Sequence, residues 1–123
     1  MLEIRTEQYE LLKEEARKRY VDRVCAYFWD EWSQECEHLE NDELREMVLE
    51  GMETGESYGI VIEADVVKYL EVCLLLGVDF SDSEMHPWAQ RILQNEDTDG
   101  TTKVEQLRFQ LDRLLDNLAT LGE

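Results

Sequence analysis

One hundred and twenty-three residues are enough to bury one core of ordinary size and suit a single domain rather than two. With 43% hydrophobic residues, one Pro and six Gly, the chain is composed like a helix-rich globular protein, which excludes a disordered acidic tail. Thirty acids against twelve bases give a net charge of −18; this repels nucleic acid and anionic membrane, and it favours a basic partner or simply solubility.

The first helix is expected to begin after Thr6 as N-cap, with Glu7 in its first turn, where a negative charge suits the helix dipole. Its early inward stripe reads Tyr9, Leu12, Ala16 and Tyr20, and Val24, Phe28, Trp32, Cys36 and Leu39 continue on a rotated face. A straight helix cannot turn both stripes to one core, so a bend or a change of neighbour is expected between about residues 20 and 30. Trp29 lies off both stripes, either touching a second neighbour or standing exposed.

Asn41 or Asp42 should cap a second helix running to about Glu56. One face carries Leu44, Met47, Val48, Gly51 and Gly55, the glycines allowing close approach of another backbone, and the opposite face carries Glu43, Glu46, Glu50 and Glu53. The stretch from 57 to 94 is the most apolar and best punctuated. A helix over about 62–76 has apolar residues on nearly every side, with Leu70, Cys73 and Leu74 expected inward, and Gly77 follows where a left-handed cap is usual. Pro87 suits the first turn of a short helix to about Gln94, with Trp88, Ile92 and Leu93 facing inward and Phe80 folding back on Trp88. Residues 95–100 form a turn. Thr102 with Glu105 has the spacing of a capping box, opening a last helix whose seam is Val104, Leu107, Leu111, Leu114 and Leu118. These elements predict an all-α fold, a single-domain bundle of about five helices.

Motifs for chemistry are weak. Asn95, Asp97, Asp99 and Gly100 match the first half of an EF-hand loop, but Gln106 stands where the bidentate Glu is needed, so a solvated turn is preferred. Glu35-x-x-His38 has the spacing of a di-iron ligand pair, yet the second pair is missing, and Cys36 with His38 lacks the Cys pair of a zinc site. No nucleophile elbow or glycine-rich phosphate loop occurs. The expectation is therefore no enzyme, no metal and no cofactor. Cys25, Cys36 and Cys73, odd in number and without CxxC spacing, read as reduced core residues, and no segment resembles an export signal or an anchor. A cytoplasmic protein is expected.

The acids are unevenly placed. Residues 1–23 hold six acids and six bases, residues 24–66 hold thirteen acids and only Arg45, and residues 67–123 hold eleven acids and five bases. Like charges at Glu46, Glu50 and Glu53 cost roughly a few tenths of a kcal/mol per pair. Such a stripe is either kept for a partner or is a solvated face. The pattern Tyr58-Gly59-Ile60, Asp65-Val66, Tyr69-Leu70, Leu76-Gly77, Phe80, Pro87-Trp88-Ala89 and Ile92-Leu93 resembles a group of small all-helical bacterial proteins encoded beside type VI secretion or polymorphic-toxin effectors. Where relatives carry a Thr or Ser cap after Tyr-Gly-Ile, this chain has Val61 and Ile62. The resemblance implies an immunity protein, or alternatively an effector adaptor or chaperone, and assigns no catalytic residue; a small enzyme or metal carrier is the third class. On the first reading, Glu43, Glu46, Glu50 and Glu53, with Trp29 or Trp32 as aromatic anchor, meet a basic toxin or effector surface. The chain itself is a monomer, or a homodimer through the Val104–Leu118 seam or Trp29.

Overall fold

The structure is a computed structural model that describes the backbone of residues 2–121 and the side chains of residues 14–117. Across them the chain is all-α: 78% helix, six helices, five of them seven residues or longer, and no strand among the described residues. The helices are α1 (Leu2–Glu31), α2 (Ser33–Cys36), α3 (Asn41–Ser57), α4 (Glu63–Leu76), α5 (Pro87–Leu93) and α6 (Gly100–Leu121), with a 3-10 turn at Phe80–Asp82. The helix beyond the expected five is the single turn α2. Internal contacts divide the chain into two compact units, Met1–Val48 and Leu49–Glu123.

In the first unit, α1 already runs from Leu2, so Thr6 lies inside the helix instead of capping it. Nothing in the preceding Glu-Ile-Arg stops a helix, and Thr within one is a mild cost. Tyr9 and Leu12 lie outside the described side chains. Ala16, expected inward, is exposed together with all of residues 14–19. Its neighbours are Glu14, Glu15, Arg17, Lys18 and Arg19, and one methyl group cannot offset taking those charges out of water. Among the described side chains apolar burial starts at Val21, which the stripe omitted, and continues through Val24, Phe28, Cys36, Leu44 and Val48.

The helix is not interrupted between residues 20 and 30 but at Trp32, whose φ of −121° and ψ of 38° leave the helical region. The break re-aims the chain so that Cys36 is buried, its Sγ donating to the Phe28 carbonyl at 3.8 Å. At the start of α3 the caps expected at Asn41 or Asp42 are replaced by Glu40. The Glu43 carboxylate reaches back to accept the Glu40 N–H at 3.1 Å, and the Leu44 N–H bonds the Glu40 carbonyl at 3.0 Å. Glu43 thus supplies one half of a capping box. Within the same unit, Arg45 is held by Asp22 of α1 at 2.6 Å.

In the second unit α4 is the most buried helix, with Val66, Tyr69, Leu70, Val72 and Cys73 all in the core. Leu74, expected inward, is only half-buried. It shares the face of Leu70, one turn on, but falls in the last turn of α4, where residues 74–76 are all half-buried as the helix leaves the core. Gly51 and Gly55 lie against this helix, but what approaches them is side chain and not the expected backbone: a Cβ on Gly55 would come within 3.3 Å of the Tyr69 ring. Gly77 ends α4 at φ 103°, its N–H bonding the Cys73 carbonyl at 2.8 Å. Phe80 packs on Tyr69, with ring centroids 5.4 Å apart, whereas the ring contact of Trp88 is with His86. The expected Phe80–Trp88 stack is therefore replaced, because Tyr69 projects from the buried face of α4 onto the 3-10 turn.

Pro87 does open α5, and Ala89 and Leu93 are buried, while Trp88 and Ile92 remain half-buried. The cap of α6 lies three residues earlier than the Thr102–Glu105 pair. Asp99 Oδ1 accepts the Thr102 N–H at 2.8 Å, and Gly100 is the first helical residue. Asp is the stronger cap, and Gly100 permits helix directly after it. Val104, Leu107 and Leu111 are buried as the seam requires, but Leu114 is exposed and Leu118 lies outside the described side chains.

Candidate functional site

The α3 surface carries the residues singled out as a partner site. Glu43, Glu46, Glu50 and Glu53 are all exposed, within about 80° of arc on one continuous helix at 100° per residue. Asp42, Glu56 and the partly exposed Leu49 extend the same side. Arg45 is the sole base of α3, and its engagement with Asp22 keeps it off this row. That contact also raises the guanidinium above its ordinary value, chiefly through the Asp22 hydrogen bond. Glu43 is the exception among the four, since it also caps the helix that presents it. Trp29, in α1, and Trp32, at the α1–α2 break, are each half-buried, so neither stands free as an anchor nor belongs to the closed core.

The remaining candidates are accounted for by local structure. In the 95–100 turn, Asn95 Oδ1 accepts the Asp97 N–H at 3.0 Å, and Asp99 caps α6. Hydrogen bonding from Thr102, side chain first and backbone second, holds the Asp99 carboxyl below its ordinary value. Gly100 is buried where the first turn of α6 crosses the chain at Gly59, and a Cβ there would run into the Gly59 carbonyl. Glu35 lies in α2 and His38 in the turn after it, so one helix does not carry both. Among the described residues no three His, Cys, Asp or Glu side chains are grouped to hold a metal ion.

All three cysteines are free thiols, Cys36 and Cys73 buried and Cys25 half-buried. Burial pushes the Cys73 thiol up to about 12, which keeps it protonated and unreactive. Beside it, burial also raises the Tyr69 hydroxyl, which lies close to Ser81 and Cys73 but meets hydrogen-bond geometry with neither.

Three polar contacts tie the second unit together. Thr101 Oγ1 donates to Asp65 Oδ2 at 2.6 Å, Arg108 pairs with Glu71 at 3.0 Å, and Lys103 Nζ donates to the Tyr58 carbonyl at 3.2 Å. The last places a buried ammonium just past the C-terminus of α3, whose own last turn holds no base, where a positive charge meets the negative end of the helix dipole.

Sequence reasoning missed an open groove between α5 and α6, formed by two adjoining hollows of about 430 and 320 Å³. Phe109 borders it at 61% exposure, with Arg113 over its ring. The available signal was Phe109 itself, a large aromatic falling between Leu107 and Leu111 and off their seam. No helix among the described residues is long and apolar enough to cross a membrane. Comparison of the chain with protein-family models, with curated proteins and with solved structures gives no match.

Proposed function

We propose that this chain is a non-enzymatic protein-binding module that neutralises a bacterial toxin or secreted effector bearing a basic surface, and that it acts in the cytoplasm. The observation that carries the reading is the row of exposed glutamates on α3, whose sole base is turned to Asp22. Like charges three and four residues apart oppose the helix that holds them, and a row of Lys or Arg from a partner would relieve that repulsion. Leu49, 38% exposed within the row, adds apolar surface at the contact. Free, protonated buried thiols suit a reducing compartment.

Complementary charge acts chiefly on the association rate. A double Glu46→Lys/Glu50→Lys variant should therefore bind the partner at least about tenfold more slowly, with a melting temperature no lower than that of the wild type. Glu43 is left intact because its loss would also remove a helix cap. The measurement is association and dissociation kinetics at two salt concentrations, alongside the partner's activity. A complex indifferent to both salt and the double reversal would reduce α3 to a solvated face. Tight binding that left the partner's activity intact would instead make the chain an effector adaptor.

A further inference from the structure

We infer that the α5–α6 groove pairs with the same groove of a second copy of this chain across a twofold axis. The two hollows share Ile92, Gln106 and Gln110, and each has its own end: Phe109 and Glu105 border one, Trp88 and Arg91 the other. The ends thus differ in a complementary way. One offers a protruding aromatic ring and a carboxylate, the other a half-buried indole and a guanidinium, and both charged residues are exposed.

In a twofold interface every contact from residue i to residue j of the other copy is repeated from j to i. Rotating one copy about an axis through the shared middle lays each Phe109 end on the other copy's Trp88 end. Glu105 and Arg91 then meet twice. Charge selects this occupant over others. The groove lining carries one acid and one base and sums to zero, in a chain whose net charge is −18. A basic partner pairs with Glu105 but meets Arg91 as a like charge, and an acidic partner pairs with Arg91 but meets Glu105 as one. A second copy answers both charges of the groove and covers Phe109. At physiological salt the Debye length is about 8 Å, so the distant like charges of the two copies are largely screened.

The test is sedimentation velocity of the full chain from about 10 to 200 µM in about 0.15 M salt, a range that brackets micromolar association. The wild type should dimerise with rising concentration, and Phe109→Ser should remain monomeric. Arg91→Glu and Glu105→Arg should each be monomeric alone, since each places like charges opposite one another twice. Mixed one to one, the two single variants should recover the dimer, because each mixed contact again joins opposite charges, and the double variant should dimerise by itself. A wild type monomeric throughout the range would overturn the proposal. So would single variants that stay dimeric, or a mixture of them that stays monomeric.

Discussion

Gly100 is the residue at which local preference and tertiary packing pull hardest against each other. As the first residue of α6, replacement by Ala should favour the helix by up to about 1 kcal/mol. Its Cβ would, however, enter the backbone of Gly59 and Ile60, and a main-chain carbonyl cannot swing aside as a side-chain tip can. Overpacking of this kind costs about 1 to 3 kcal/mol or more, so the clash wins. Gly100→Ala should therefore lower stability by about 2 kcal/mol in urea unfolding, the sign opposite to that of an ordinary helix-start glycine. An unchanged or raised midpoint would mean that α6 and the Gly59 turn do not cross so closely.

Among the elements, α4 sets the order of the second unit, and two leucines four residues apart measure how. Leu70 is fully buried against Gly51, while Leu74 is half-buried toward the end of the helix. Leu70→Ala should cost about 3 to 5 kcal/mol, because both the transferred side chain and a closed cavity count. Leu74→Ala leaves a site that water can refill and should cost about half as much. Urea unfolding of the pair checks the ranking, and equal losses would place Leu74 in the core after all. The α4–α6 contacts Thr101–Asp65 and Arg108–Glu71 add register to this packing. Burial there makes each polar group dependent on its particular partner.

At the scale of the whole molecule the governing quantity is the charge of −18, with thirteen acids and one base between residues 24 and 66. Self-repulsion of this kind destabilises any compact state, and surface ion pairs such as Arg45–Asp22 are too solvated to offset it. Raising ionic strength from about 0.01 to 0.15 M shortens the Debye length from about 30 to 8 Å. The melting temperature of the isolated chain should therefore rise with salt, whereas association with a basic partner should slow. A melting temperature that fell over this range would show that attractive ion pairs, not repulsion, dominate the native state.

What the residues determined alone was whatever acts within a helical turn or two. The all-helical class, Pro87 at the head of α5, the positive φ at Gly77 and the exposed glutamate row of α3 follow from periodicity, ring geometry and charge, which need no distant neighbour. The N-terminal boundaries failed for an equally local reason: several adjacent residues can cap, and Glu40 and Asp99 displaced Asn41 and Thr102 by small differences. Only the tertiary structure decided which side chains meet. Phe80 found Tyr69 rather than Trp88, Leu74 was left half-buried, and Gly100 proved to be where α6 crosses the chain at Gly59. Phe109 was left beside a groove. Each outcome depends on where two segments distant in sequence come to lie, and side-chain spacing along one helix carries no information about the element opposite it.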